Sequence, residues 1–138
     1  NNFKCRVKIL IQGKTNFIEG EIVLNSDFFT TPDGKIIKLN DISKINVLMW
    51  EKRKKLNKYI FYPSRYELFF RDYRKIIING NIEVLNIVRL DKRKSGYIYL
   101  YYYDYFKNGK WLNSGSSDFD AFVLKPADGC AVSIELFQ

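Results

Sequence analysis

Phe3-Lys4-Cys5-Arg6-Val7-Lys8-Ile9-Leu10-Ile11 decides the fold class. Phe3, Cys5, Val7, Ile9 and Ile11 alternate with Lys4, Arg6 and Lys8, the period of a strand with one buried face. The same pattern recurs outward from this segment. Phe17–Leu24, Asp27–Thr31, Lys35–Leu39, Arg65–Phe70, Arg74–Ile78, Asn81–Leu90, Phe119–Lys125 and Cys130–Phe137 all read as strands. Asp41–Leu48 is rich in β-branched residues and reads as a strand, with an opening helical turn as the alternative. Thr31-Pro32-Asp33-Gly34, Asn79-Gly80-Asn81 and Pro126-Ala127-Asp128-Gly129 supply turns, because Pro presets φ and Gly tolerates positive φ. No amphipathic helix of about ten or more residues is visible. The expected fold is all-β, a single-domain antiparallel barrel or two-sheet sandwich of about 9 to 11 strands over residues 1–138.

A faint echo runs through the chain. Phe17-Ile18-Glu19-Gly20-Glu21-Ile22 aligns with Ile77-Ile78-Asn79-Gly80-Asn81-Ile82, and Asp41–Val47 with Cys130–Leu136. Two related β-units, 3–50 and 64–138, with a hairpin inserted in the second, would produce it. Ordinary strand–turn repetition would produce it equally well.

The one segment that hints at a working surface is Gly96-Tyr97-Ile98-Tyr99-Leu100-Tyr101-Tyr102-Tyr103-Asp104-Tyr105-Phe106. In one extended strand Tyr97, Tyr99, Tyr101, Tyr103 and Tyr105 share a face. A hairpin with a three-residue loop, Lys94-Ser95-Gly96, sets Arg93, Asp91 and Arg89 against Tyr97, Tyr99 and Tyr101. It sets Lys92, Leu90 and Val88 against Ile98, Leu100 and Tyr102. A two-residue loop would set charges against the apolar face, so the hydrophobic pattern favours three. Tyr97, Tyr99, Tyr101, Arg89 and Arg93 form the candidate contact surface, since Tyr and Arg are enriched where proteins bind partners. Lys107-Asn108-Gly109-Lys110 carries a tight-turn signature that pairs Phe106 with Trp111 and Tyr105 with Leu112.

The 138 residues carry a net charge of +8, with 46% apolar and 17% aromatic residues, the profile of a chain that can bury a core. The basic excess suits an anionic partner. Lys, Asn, Ile, Tyr and Phe are abundant, and all five have A/T-rich codons, a source of charge and tyrosines independent of function. Lys52, Arg53, Lys54, Lys55 and Lys58 form the one charge run, read as an exposed loop. It would be a basic patch for phosphate or anionic lipid, or else a solvated hairpin tip. Cys5 and Cys130 lie in the first and last candidate strands. If those strands are neighbours, a disulfide would tie the termini together, as in exported proteins; two buried thiols are the alternative. No initiator Met precedes Asn1, which fits a cleaved leader or lipoprotein signal, or a boundary chosen within a longer chain.

Enzymatic chemistry finds little support. There is no histidine, and two distant cysteines do not make a metal site. No phosphate loop, nucleophile elbow or calcium loop appears. Asp33, Glu67, Asp72, Asp104 and Asp118 are the plausible members of a hydrolytic carboxylate pair, and a turn or surface role suits each better. No cofactor and no metal is expected, and no membrane-spanning run is present. The first eighty residues resemble the antiparallel first sheet of a pleckstrin-homology-type domain, through Gly20-Glu21-Ile22-Val23-Leu24, Phe28-Phe29, Gly34-Lys35-Ile36-Ile37-Lys38-Leu39 and Ile42-Ser43-Lys44-Ile45. The resemblance implies an intracellular domain that binds anionic lipid. That family closes with a C-terminal helix, whereas Phe119–Gln138 reads as strands, so the resemblance does not establish membership.

Two functions compete. The first is a non-enzymatic binding or structural module of the cell envelope, periplasmic, surface-bound or secreted. It would present its Arg/Tyr surface to a protein or glycan. The second is an intracellular β-domain, pleckstrin-homology-like or otherwise, that binds anionic lipid or nucleic acid through its basic loops.

Overall fold

The computed structural model describes residues 2–23, 26–55, 58–90, 97–107, 110–111, 122–124 and 129–137. Among them there is no α-helix, and the all-β expectation holds. β1 (Asn2–Ile11) and β2 (Lys14–Val23) form a hairpin over Gln12 and Gly13, whose φ values of 51° and 76° make the primed turn that matches strand twist. Phe3, Cys5, Val7 and Ile9 are buried, so the opening alternation is the core pattern of β1.

β3 (Phe28–Thr30) and β4 (Ile36–Lys38) form a small separate hairpin around Pro32, with Gly34 at φ 89°. Thr31 Oγ1 donates to the Asp33 carboxylate and accepts the Lys35 N–H at 2.9 Å, closing the turn. A single 3-10 turn, Leu39–Asp41, leads into β5 (Ile42–Lys55), so Asp41–Leu48 is strand from Ile42 onward, as its β-branched content implies.

β5 and β6 (Lys58–Phe70) form one long hairpin, the spine of the molecule. β5 slips register at Val47/Met49 and Met49/Trp50, and such bulges bend a strand. Below the bend β5 pairs with β13 (Ala131–Phe137) and β6 with β7 (Lys75–Asn79). Above it β5 pairs with β12 (Phe122–Val123) and β6 with β10 (Tyr102–Lys107). Pro63 faces Trp50 beside the irregularity, the kind of position to which proline is confined within a sheet. Gly80 and Asn81 close over this point. Gly80 N donates to Ser64 O at 2.7 Å and Asn81 Nδ2 to Pro63 O at 2.8 Å.

The main sheet has eleven strands, in the order β11-β10-β6-β5-β13-β1-β2-β8-β9, with β12 and β7 on β5 and β6. Here β8 is Ile87–Leu90, β9 is Tyr97–Tyr99 and β11 is Lys110–Trp111. β9 lies at one end of that order and β10 near the other, yet only Leu100 and Tyr101 connect them. The sheet therefore folds over on itself in a sandwich-like way. Among the described residues no ladder joins its ends, so of the two expected architectures the closed barrel is not the one adopted.

The largest fully buried side chains, among them Trp50, Tyr66, Phe61, Leu68, Leu100 and Ile134, fill the space enclosed. At about 25 cal/mol per Å², each such side chain contributes roughly 1.5–3 kcal/mol. Burial pushes the Tyr66 phenol up to about 12, and its oxygen accepts from Ile82 N at 3.1 Å and Asn81 Nδ2 at 3.3 Å.

Several expectations need correction. The tyrosine stretch is not one strand but two, β9 and β10, broken at Leu100, whose side chain is fully buried. β8 pairs Arg89 with Tyr97, Val88 with Ile98 and Ile87 with Tyr99, four residues away from the expected register. A shift of an even number preserves the faces, so Arg89 still opposes a tyrosine. Asn81–Leu90 is not one strand, because a 3-10 turn at Glu83–Leu85 precedes β8. The run from Lys52 to Lys58 is not a loop: residues 52–55 end β5 and Lys58 begins β6.

Both cysteines are buried and neither forms a disulfide. Their strands are neighbours as expected, but the register sets Cys5 opposite Leu136, at the far end of β13 from Cys130. Six residues of strand separate Cys130 from that point, roughly 20 Å, far beyond the ~7 Å Cα limit of a disulfide. The two segments of the internal echo also differ, since Phe17–Ile22 runs through β2 whereas Ile77–Ile82 leaves β7 at Gly80, φ 103°.

Candidate functional site

The sequence put its candidate surface on the tyrosine stretch, and the fold gives that surface a different shape. In the upper half of the spine hairpin, β5 and β6 pair Glu51 with Tyr62 and Arg53 with Ile60. Directly paired residues share a face, so Glu51, Arg53 and Tyr62 stand together. The Arg53 guanidinium carbon lies 5.0 Å from the centroid of the Tyr62 ring, within cation–π range. Tyr62 meets Tyr101 at 5.5 Å between centroids, tilted 36°, and Tyr101 meets Tyr99 at 5.4 Å, edge to face at 77°. The result is a continuous ladder Arg53–Tyr62–Tyr101–Tyr99.

The Leu100–Tyr101 link makes this possible. Leu100 is held inside, its carbonyl accepting the Trp50 indole N–H at 2.7 Å and the Cys130 thiol at 3.3 Å. Its N–H donates to Asn86 O at 2.9 Å. With Leu100 fixed, its neighbours Tyr99 and Tyr101 are set against each other and Tyr101 reaches Tyr62 across the sheet ends. Burial pushes the Cys130 thiol up to about 12, against an opposing pull from the Trp50 indole, so it stays protonated and packs within the core.

Tyr99 is 45% exposed, whereas Tyr62 and Tyr101 are half-buried. Ile87 opposite Tyr99 and Arg89 opposite Tyr97 are both exposed and extend the ladder along β8. Of the expected contact residues, Tyr99 and Tyr101 are thus brought together, and Arg89 lies two positions along β8 from the Ile87 that opposes Tyr99. Tyr97 is placed on β9, and Arg93 lies outside the described residues. Sequence reasoning missed Tyr62 and Ile87. Tyr59-Ile60-Phe61-Tyr62 directly follows the charge run, and a strand reading carried through that run over a two-residue turn sets Arg53 on the same face as Tyr62.

The basic run does not form one patch. Lys52 pairs with Phe61 and its ammonium lies 5.1 Å from the Tyr59 ring on the other face from Arg53. Arg53 and Lys54 are exposed, and Lys55 pairs directly with Lys58 at the hairpin tip. The adjacent hairpin repeats the motif, pairing Lys107 with Lys110, and β10 joins the two by pairing Tyr105 with Lys58.

The outer face of the lower half is built differently. Cross-strand neighbours run Glu19–Arg6–Glu135–Lys44–Phe69–Lys75 from β2 to β7, so charges alternate from β2 to β5 and Phe69 lies between two lysines. Arg6 reaches Glu135 at 3.2 Å and Lys75 reaches Glu67 at 3.4 Å. This face is a self-neutralised mosaic, and the cationic excess is displaced toward the hairpin tips.

The candidate carboxylates are occupied by local work. Arg74 and its N–H hold the Asp72 carboxyl below its usual range, and the Thr31 hydroxyl does the same to Asp33. Glu67 accepts from Asn46 Nδ2 at 3.1 Å. Asp104 pairs with Tyr59 on the ladder, and Asp118 lies outside the described residues. Among the described residues no cluster of three or more potential metal ligands occurs. Nor is any helix among them long and apolar enough to cross a membrane.

No protein-family model matches the chain, and neither any curated protein nor any solved structure does so. The resemblance of the first eighty residues to a pleckstrin-homology-type sheet gains nothing from these comparisons, and the segment from Ala131 is a strand between β1 and β5.

Proposed function

We propose that the protein is a non-enzymatic binding module whose contact surface is the Arg53–Tyr62–Tyr101–Tyr99 ladder, extended by Ile87 and Arg89, and whose partner is a protein or glycan. The observation that carries the reading is the ladder itself. Three tyrosines and an arginine are packed in mutual contact yet remain partly exposed, and they gather from β5, β6, β9 and the link between β9 and β10. Large rigid side chains already held in place lose little entropy on binding, so they make efficient anchors. Location in the cell envelope leaned on a Cys5–Cys130 bridge and does not enter the proposal.

The test is a protein and glycan array probed with the wild-type chain and with Tyr99→Ser. Partners that depend on the ladder disappear with the variant, while unfolding stability changes by no more than about 1 kcal/mol. Binding that survives Tyr99→Ser and Arg53→Gln alike would place the contact surface elsewhere.

A further inference from the structure

Resting on that reading, we infer that the ladder's partner is a protein, and that it docks through an acidic polypeptide segment whose carboxylates meet Arg53 and the tip lysines.

Three observations converge. The first is the placement of charge. The register puts positions 51, 53, 55 and 58 on the ladder's side of the hairpin, three cations to the single carboxylate of Glu51, whereas the lower face alternates its signs from β2 to β5. The two tips also pair lysine directly with lysine, at 55/58 and 107/110. Like charges in cross-strand register do not favour a hairpin, and a sequence that sets lysine against lysine at such positions suits an anionic partner.

The second is the state of Arg53. Its guanidinium lies over Tyr62 while its Nη2 sits 3.9 Å from a Glu51 carboxylate oxygen. The stacked guanidinium thus already faces a carboxylate, on a surface where both side chains are substantially exposed. An exposed pair at that distance is weak and exchangeable. Glu51 occupies the place that a partner's Asp or Glu would take, and the planar guanidinium suits a carboxylate in geometry.

The third is the anatomy. Tyr and Arg lie at the centre with Ile87 beside them, and lysine positions lie toward the periphery at the hairpin tips. Protein interfaces have this plan, with aromatic and arginine anchors inside and lysine relegated to a rim that steers approach. Single-stranded nucleic acid would instead want open ring faces on which bases can stack. Here Tyr62 already carries Arg53 on its ring and Tyr101 beside it, and Tyr101 carries Tyr99.

The test uses labelled polymers as probes and fluorescence anisotropy as readout. A random copolymer of glutamate and tyrosine represents the inferred segment. Polyglutamate, oligothymidylate and heparin represent bare carboxylate charge, nucleic acid and acidic glycan. The copolymer is expected to bind, more tightly than polyglutamate and with an affinity that falls as salt rises. Tyr99→Ser and Arg53→Gln should each weaken it about tenfold, a common cost for an interface anchor. Glu51→Gln should tighten it several-fold by removing the internal competitor. Lys75→Gln, on the mosaic face, should leave it unchanged, and circular dichroism verifies that each variant is folded.

Tighter binding of oligothymidylate or heparin at equal salt would overturn the inference. So would absence of copolymer binding at low salt, or weaker binding by Glu51→Gln. If heparin binding is lost in Tyr99→Ser, the ladder stands as a contact surface with a glycan partner and only the inference falls. If no ligand depends on Tyr99 or Arg53, the proposed function falls with it.

Discussion

Trp50→Phe should destabilise the protein by about 2–4 kcal/mol and disturb a surface that Trp50 itself does not reach. Trp50 is 1% exposed, and its Nε1 donates to Leu100 O at 2.7 Å. Phenylalanine removes that donor and leaves the buried carbonyl with the Cys130 thiol, a weak one. An under-satisfied buried acceptor costs about 1–3 kcal/mol. The smaller ring adds a void on the order of 40 Å³, worth about 1 kcal/mol if the site does not collapse.

Leu100 lies between Tyr99 and Tyr101, so a loosened link should also weaken the aromatic near-ultraviolet dichroism and reduce copolymer binding. Urea denaturation followed by far-ultraviolet dichroism gives the stability change. Cys130→Ala alone should cost less, and the double variant more than the sum, because both donors serve one carbonyl. A Trp50→Phe loss below about 0.5 kcal/mol, or additivity of the two changes, would refute the claim that this node fixes the bend.

Other consequences follow from buried groups and tight contacts. Cys130 and Tyr66 both ionise near 12 in the folded chain against ordinary values of 9.0 and 10.0. The native state therefore retains protons that the unfolded chain sheds. Their contribution is complete below about pH 9 and is lost as pH rises toward about 12, by a few kcal/mol in all. Urea midpoints measured across that range should fall, and Cys130→Ala and Tyr66→Phe should each flatten the decline. A flat wild-type profile would contradict the burial of both groups. Thiol reagents should titrate two cysteines in denatured protein and react slowly in native protein, whereas a mass increase on reduction would reveal a bridge. Gly80→Ala should cost at least about 1–2 kcal/mol, because a Cβ there meets Pro32 Cγ at 2.8 Å and φ is 103°. A neutral result in urea unfolding would show that the β3–β4 turn does not pack on Gly80.

How much of this was legible depends on the range of the forces involved. Local periodicity exposed the strands, because a half-buried strand must alternate, and β1 follows that rule from Phe3 to Ile9. Turn chemistry at Pro32–Gly34 marks the β3–β4 connection, and the expected pairing of Phe106 with Trp111 is present. The bend at Leu100 was not legible. Tyr-Leu-Tyr continues the alternation without interruption, and the interactions that end β9 there come from Trp50, Asn86 and Cys130, all distant in sequence.

For the same reason the tyrosine stretch was read as one strand and its register placed four residues off. The charge run was mistaken for a loop because charged residues seldom signal strand, whereas here cross-strand partners Tyr59, Ile60 and Phe61 hold it in the ladder. The cysteine bridge failed on register alone. Neighbouring strands were correctly anticipated, but antiparallel pairing sends Cys5 and Cys130 to opposite ends of β13.

Nuclear magnetic resonance mapping of the bound glutamate–tyrosine copolymer tests the account most directly. Shift changes should concentrate on Arg53, Tyr62, Ile87, Arg89, Tyr99 and Tyr101, leaving Arg6, Lys44, Lys75 and Glu135 on the mosaic face unmoved. Changes centred on the mosaic face, with the ladder silent, would contradict it.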